Sequence, residues 1–340
     1  MAEIINGEFK FIEENKNSFG GTERLTQKLV EIIPQEILKE FQIISSRVRN
    51  ELDESKIRIF WAHDLPTDTS SAFLSDKATH ESFHKFVFVS NWQMQAYMNT
   101  FNLPWSKCCV MKNAIDPFTE ECVKPDPKEE LRLIYTSTPQ RGLHILVPAV
   151  AHLAKQYPHI HLDVFSSFKI YGRDDDDAAY TELYQQIEEH PNMTYHGFQP
   201  NDVVREHVAK AHMFVYPSIW AETSCMSLME AMAAGCICVH SNYGALFETA
   251  ANWTQMYQTN ENVNQHAGTL VKLCETMIEN INDEGIQSRL PAQSNYANIF
   301  YGWPARRYEW EGLLRNLINA YPPEERSIPV FEEMFEINTG

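Results

Sequence analysis

The feature that most constrains the fold is a regular alternation of short apolar segments with segments of helical periodicity. Several of the apolar segments are rich in β-branched residues and apolar throughout, which is typical of strands in a parallel sheet covered on both faces. The predicted strands are 8–12, 40–45, 57–62, 85–90, 108–112, 131–137, 160–167, 193–197, 213–217 and 236–240. Strands that alternate with helices predict doubly wound α/β layers.

The clearest predicted helix covers residues 22–33, where Leu25, Leu29, Ile32 and Ile33 form one apolar face and Thr22 is a good N-cap. Further helices are predicted at 142–155, 178–189, 201–210 and 225–234, and the chain is mostly helical from about residue 262.

The chain is long enough for two domains, at 340 residues. Pro117, Pro125 and Pro127 lie in a charged segment between the two sets of strands, which predicts an exposed hinge near 117–128. We therefore predict a first domain at 1–120, a second at 128–300 and a tail at 321–340.

The net charge of the chain restricts the classes of molecule that it is expected to bind. The chain has 28 Lys plus Arg against 46 Asp plus Glu, a net charge of −18. Nucleic-acid phosphates and anionic membrane surfaces are bound by basic faces, so neither is expected as a partner. The seven cysteines show no disulfide spacing, and neither a signal peptide nor a membrane span is recognisable. We expect a reduced, soluble, cytoplasmic protein.

The segment 211–235, AHMFVYPSIWAETSCMSLMEAMAAG, concentrates the chemistry. A predicted strand runs into a loop, and a helix is predicted to open near Ser224, where its free amides would attract phosphate. Glu222 precedes this helix. Glu230 lies two turns into it, about 9 Å further along, and Gly235 ends it. Two carboxylates so placed could grip the two ends of a nucleotide sugar.

This segment resembles a known family signature. The succession Pro-Ser, Glu, seven residues, then Glu-Ala-Met-Ala-Ala-Gly resembles the E-x7-E motif of family-4 glycosyltransferases, which are retaining enzymes of the GT-B fold. HGFQP at 196–200 resembles the family's loop beside the nucleobase. CICVH and SNYGALFE resemble its next strand and the Gly-x-x-x-Glu stretch that follows.

The resemblance assigns donor contacts. It implies that Glu222 contacts the donor sugar, Glu230 the ribose and Phe198 the nucleobase. The backbone amides facing the diphosphate or the sugar would be those of Ser224, Cys225 and Met226. Thr223-Ser224-Cys225 replaces the family's usual Gly-Phe-Gly.

STPQRGL at 137–143 follows a predicted strand, which puts Arg141 near the mouth of the sheet, where its fork can hold diphosphate oxygens. The segment resembles the family's Arg/Lys-Gly-Leu loop. Many members have a second basic residue where this chain has Thr136. Either Arg141 acts alone, or a lysine such as Lys169 compensates.

In the first domain, Gly20 and Gly21 resemble the family's glycine loop beneath the diphosphate and the acceptor. WAHDLP at 61–66 resembles the family's His loop near the anomeric carbon. His63 is therefore the candidate catalytic residue on the acceptor side, with a structural role as the alternative, and Asp64 is an orienting group or an acceptor contact. NAID at 113–116 resembles a structural turn, and 303–320 resembles the terminal helix that crosses back onto the first domain.

The resemblance implies a GT-B fold of two facing Rossmann-like domains with parallel sheets. It also implies a hexosyl- or pentosyltransferase that moves a sugar from a nucleoside-diphosphate sugar to a hydroxyl acceptor, with retention and without metal or other cofactor. Glu222, Arg141 and His63 would be the catalytic residues. The acceptor stays open among a sugar, a glycan, a lipid-linked intermediate and, as the one nucleic-acid case, a modified base.

Three alternatives come from other classes. The four aspartates from Asp174 to Asp177 suggest a metal-dependent GT-A transferase. His80 and His84 have the i, i+4 spacing of two metal ligands on a helix, without the glutamate of an HExxH motif. A nucleotide-sugar-binding protein without turnover is the alternative that is not an enzyme.

Overall fold

The computed structural model describes residues 2–11 and 20–331. The described chain forms two compact units. Unit 1 comprises the residues up to Ala114 together with those from Trp303 onward, and unit 2 comprises Ile115–Gly302. Each unit has its own six-stranded sheet.

The strands of unit 1 are β1 (Ala2–Ile5), β2 (Glu8–Phe11), β3 (Phe41–Ser45), β4 (Ile57–Ala62), β5 (Lys85–Phe88) and β6 (Cys108–Val110). Those of unit 2 are β7 (Leu131–Thr136), β8 (Ile160–Phe165), β9 (Met193–Tyr195), β10 (Met213–Tyr216), β11 (Ile237–Ser241) and β12 (Gln255–Tyr257). Every predicted strand is present.

The helices, in chain order, are α1 (Gly21–Ile32), α2 (Gln35–Leu38), α3 (Asn91–Phe101), α4 (Leu143–Gln156), α5 (Thr181–Glu189), α6 (Asn201–Lys210), α7 (Met226–Ala233), α8 (Leu246–Ala250), α9 (Val263–Glu279), α10 (Glu284–Gln287), α11 (Leu290–Phe300) and α12 (Trp303–Ala320). None of these helices is long and apolar enough to cross a lipid bilayer.

The sheet of unit 2 is parallel throughout, in the order β12-β11-β10-β7-β8-β9. The sheet of unit 1 has the order β2-β1-β3-β4-β5-β6, and its strands β3 to β6 are parallel. Strand β1 is antiparallel to both of its neighbours, which adds an antiparallel pair at one edge. The predicted α/β class is confirmed.

Two local predictions differ from the structure. The N-cap of α1 is Gly20, so Thr22 lies inside the helix, where its carbonyl accepts a 2.8 Å hydrogen bond from Thr26 Oγ1. Strand β1 was not predicted, because its Glu3 is charged. This carboxylate is nevertheless buried, since Gln42 Nε2 donates to one oxygen and Asn50 Nδ2 donates to the other at 2.7 Å.

The terminal helix α12 packs within unit 1, as the resemblance implies. Its Trp310 is 1% exposed, and the ring meets that of Trp61 in β4 edge-on, with 4.8 Å between centroids. After the helix, Arg58 Nη2 donates to the carbonyl of Ile328 at 2.7 Å. The C-terminal segment is therefore held by the same sheet that the N-terminal residues form.

Replacing Trp310 by Ala should reduce the free energy of unfolding by about 3–5 kcal/mol, because a large buried ring is lost from the contact with β4. Urea unfolding followed by circular dichroism measures the change. Tyr308→Ala is the matched control on the same helix: its side chain is 81% exposed, so a change within about 0.5 kcal/mol is expected. Equal effects of the two substitutions would contradict the described packing.

Candidate functional site

The loop that carries Glu222 lies at the carboxyl edge of the sheet in unit 2, between β10 and α7. Open α/β sheets bind ligands at this edge. The Glu222 backbone pairs with Gly244 of the loop after β11, and its carbonyl accepts from the amide of Ala245 at 2.6 Å. Gly244 has φ +66°, and a Cβ there would lie 2.5 Å from the backbone nitrogen and oxygen of Glu222. Only glycine allows this approach.

Arg141 ends a short 3-10 turn, Pro139–Arg141, that follows β7. The next residue, Gly142, has φ +115°, and a Cβ on it would lie 2.2 Å from the carbonyl oxygen of Pro217, directly after β10. Gly142 therefore allows the loop that carries Arg141 to pack against the end of the neighbouring strand β10. The two strand ends that carry Arg141 and Glu222 are thereby brought together.

Arg141 and Glu222 are bonded to each other. Arg141 Nη1 donates to Oε1 and Oε2 of Glu222 at 2.8 and 2.9 Å, and the Glu222 side chain is only 5% exposed. Tyr216 OH donates to the same Oε1 at 2.5 Å. Arg141 Nη2 donates to Tyr171 OH at 3.3 Å. The site is an ion pair surrounded by tyrosines, whereas the sequence had assigned the two charges to separate parts of a donor.

The charges in this site follow from burial and pairing. Burial by itself would lower the pKa of Arg141, but the adjacent Glu222 carboxylate, together with Tyr171 and Tyr216, raises that pKa well above its usual value. Burial and the same carboxylate raise the pKa of Tyr216 well above its usual value. The arginine is therefore cationic and the phenol stays protonated, so both remain hydrogen-bond donors.

The helix after Glu222 begins at Met226, with Cys225 as its N-cap, one residue after the predicted start at 225. Residues Thr223 and Ser224 form a bend before it. Burial raises the pKa of the Cys225 thiol, so this cysteine is an unreactive packing residue. Ser227 Oγ anchors the first turn by donating to the carbonyl of Thr136 at 2.6 Å.

Glu230 accordingly lies only four residues into α7, about 6 Å along the axis and not two turns. It is buried, and Arg205 Nη1 of α6 donates to its Oε1 at 3.3 Å. The guanidinium of Arg205 also lies 3.9 Å from the centre of the Phe118 ring. The predicted glycine end of α7 is confirmed, since Gly235 has φ +69° and its amide donates to Met232 O at 3.1 Å.

Two further predicted donor contacts lie in loops of unit 2. Lys169 is exposed in the 3-10 turn Phe168–Tyr171, and this turn reaches Arg141 through Tyr171. Phe198 is half-buried in the irregular segment after β9, one residue beyond Gly197 with φ +62°. Their roles toward a ligand stay predictions.

The predicted residues of unit 1 are placed after β4 and before α1. The His63 amide donates to Ser46 Oγ at 2.9 Å, its ring packs on Trp61, and burial lowers its pKa to about 3. Burial, with a smaller contribution from the nearby Asp68 carboxylate, raises the pKa of Asp64 to about 6. Gly20 and Gly21 are the N-cap and first residue of α1, while the preceding residues 17–19 lie outside the described chain.

Three residues of the two metal-binding alternatives, Asp177, His80 and His84, are engaged in structural contacts. Asp177 accepts hydrogen bonds from Ser167 Oγ at 2.5 Å and from Tyr184 OH at 2.7 Å. His80 Nε2 bonds the carbonyl of Leu74, and His84 Nδ1 accepts from the amide of Arg58. The segment with His80 is the 3-10 helix Lys77–Ser82, which ends before His84, so the α-helical spacing predicted for this pair is wrong.

Sequence reasoning missed the residues that hold the two glutamates. Tyr216 and Arg205 carry no signal in the sequence, because a tyrosine at a strand end and an arginine in an amphipathic helix are ordinary. Gly142 and Gly244 lie in segments that the sequence analysis singled out. Their roles, however, depend on backbone from other loops, that of Pro217 against Gly142 and that of Glu222 against Gly244.

The profile of the family described as Glycosyl transferases group 1 matches residues 132–276, a range that includes Arg141, Glu222 and Glu230. No curated protein sequence matches the chain.

Solved structures with similar folds include those of three proteins. Sucrose-phosphate synthase from Thermosynechococcus elongatus has a TM-score of 0.61 at 16% identity, over 78% of this chain and 69% of that chain. Anabaena Alr3699/HepE in complex with UDP has a TM-score of 0.61 at 15% identity, over 77% of this chain and 72% of that chain. A glycosyltransferase from Rickettsia africae ESF-5 has a TM-score of 0.62 at 13% identity, over 90% of this chain and 83% of that chain. The chain has the GT-B fold, and the family match supports a glycosyltransferase.

His63 should remain uncharged across the physiological range, because burial lowers its pKa from 6.5 to about 3. The stability that its neutral form contributes is present above pH 6.5 and decreases as the pH falls toward 3, since only the unfolded chain then binds the proton. In NMR, the His63 ring signals should not titrate between about pH 8 and pH 5. The urea-unfolded chain is the control and should titrate normally. A folded-state midpoint near 6.5 would contradict the described burial.

Proposed function

We propose that this protein is a retaining glycosyltransferase of family 4, which transfers a hexosyl or pentosyl group from a nucleoside-diphosphate sugar to a hydroxyl acceptor. The observation that carries the proposal is the pairing of Arg141 with the buried Glu222 at the carboxyl edge of the sheet in unit 2. It lies within the segment that matches the glycosyltransferase family.

The ion pair provides a way to recognise the donor. A diphosphate offers oxygens that can replace the Glu222 carboxylate on the fork of Arg141. Glu222 would then turn its acceptor oxygens to the hydroxyls of the sugar, while Tyr216 continues to donate to Oε1. The exchange keeps the partly buried arginine paired, which avoids the cost of leaving a charge alone.

Glu230 suits the ribose, because a carboxylate accepts hydrogen bonds from neighbouring hydroxyls. Arg205 holds its Oε1 and thereby fixes the direction of the side chain. Phe198 after β9 would lie beside the base, and Ser224, Cys225 and Met226 would direct amides to the diphosphate or the sugar. Anabaena Alr3699/HepE, which shares the fold, was solved in complex with UDP, in line with a nucleotide at this edge.

The proposed transfer places the acceptor hydroxyl on the same face of the sugar that the diphosphate leaves. Arg141 and the amides at the start of α7 stabilise the negative charge that develops on the leaving group, so no metal or other cofactor is required. A phosphate oxygen assists in removing the acceptor proton. His63, with a neutral imidazole, and Asp64 are proposed on the acceptor side.

Donor binding is tested first, by thermal stabilisation with UDP-, GDP-, ADP- and CMP-sugars in the presence of EDTA. One nucleotide series should raise the melting temperature by a few degrees, because a ligand that binds only the folded state stabilises it. Arg141→Ala and Glu230→Ala should weaken the shift, whereas the exposed controls Arg289→Ala and Glu206→Ala should not. If no series shifts the protein, or if a shift requires Mn²⁺, the proposed site is wrong.

Turnover is tested next with the donor identified in that assay. Glu222→Gln keeps the shape of the side chain but removes the charge, and we expect kcat/KM to fall by at least about 10²-fold, as for the loss of a key charge-stabilising group. Glu206→Ala should match the wild type. NMR of the product reports whether the anomeric configuration is retained. Donor binding without transfer or slow donor hydrolysis would favour a binding protein instead.

A further inference from the structure

Three potential metal ligands meet on the side of unit 2 formed by β8, β9 and α6. Asp163 lies in β8, His196 directly follows β9, and His207 lies in α6. One ligand atom from each side chain lies within 4.8 Å of the other two. In the part of the chain that the structure describes, this is the one group of three such side chains. It involves none of the residues assigned to diphosphate or sugar.

Asp163 Oδ1 faces both imidazoles. His196 Nε2 is hydrogen-bonded to Asp163 Oδ1 at 2.6 Å, a contact that a bound cation would replace, and His207 Nδ1 lies 3.7 Å from the same oxygen. The second distance is too long for a hydrogen bond, and within the described residues the buried Nδ1 of His207 has no hydrogen-bond partner. Zinc bound tetrahedrally at 2.0–2.2 Å separates its ligand atoms by about 3.3 Å. Small side-chain rotations would therefore bring all three atoms to that spacing.

The rings are held in place by packing. Phe165 stacks on His196 with 4.2 Å between centroids and 3° between planes, and it meets His207 edge-on at 5.0 Å. The side chains of Asp163, His196 and His207 are 10%, 21% and 28% exposed, so the cluster lies close to the protein surface. The described residues place no lysine or arginine in an ion pair with Asp163, which leaves its charge to the two histidines.

We propose that Asp163, His196 and His207 form a zinc-binding site, with one or more waters completing the coordination. Two imidazoles and one carboxylate are a donor set that zinc accepts, whereas Mg²⁺ prefers a full set of oxygens. His196 begins the 196–200 segment, so a bound zinc would fix the start of that loop. None of the three ligands is a proposed donor contact, although His196 lies two residues before Phe198, and the binding of zinc does not depend on the proposed transfer.

The test uses the full chain without a tag and without nucleotide, and measures Zn²⁺ binding by competition with a chromogenic chelator. One zinc per chain is expected to bind. Asp163→Asn and His207→Ala should each weaken binding at least about tenfold. Mg²⁺ at the same concentration should not compete. Zinc K-edge absorption should show two imidazoles and one carboxylate.

Because the chain has 13 histidines, adventitious binding is checked with His152→Ala, which removes an exposed histidine of α4 and should leave the affinity unchanged. Circular dichroism verifies that each variant is folded, and His207→Gln replaces His207→Ala if that variant is not. The proposal is overturned if the wild type binds no zinc, or if the Asp163 and His207 variants bind it as tightly as the wild type. Both results are obtained without nucleotide and concern zinc binding alone.

Discussion

The site of unit 2 depends on one ion pair, between Arg141 and Glu222. A carboxylate as buried as that of Glu222 is costly unless it is paired and hydrogen-bonded. Here both oxygens accept hydrogen bonds from Arg141 Nη1, and Oε1 also accepts one from Tyr216 OH. The pair in turn requires two loops to approach closely. Gly142 and Gly244 permit this, because a Cβ at either position would collide with backbone.

Parallel strand order is what delivers these groups to one place. Strands β7 and β10 are neighbours in the sheet, so the residues after them, Arg141 and Glu222, meet although 81 positions separate them in sequence. Strand β11 lies on the other side of β10 and supplies the loop with Gly244. All three loops leave the same edge, since carboxyl ends of parallel strands coincide.

Periodicity predicted the elements well, because strand and helix patterns reflect local burial. It failed where a polar residue is buried through distant partners, as with Glu3 in β1, whose carboxylate is satisfied by Gln42 and Asn50. The predicted bounds of α7, 225–234, differ from the observed Met226–Ala233 by one residue at each end. The segment 223–225 continues the loop that Gly244 holds at Glu222.

Local pattern and residue type were sufficient to predict the α/β class, the strand–helix alternation and the segments that carry Arg141, Glu222 and Glu230. Folding of the chain is what brings Arg141 against Glu222 and Arg205 against Glu230. It also brings Asp163, His196 and His207 together. Such contacts join residues far apart in the chain, and their geometry is set by sheet order and backbone approach, which no local pattern encodes.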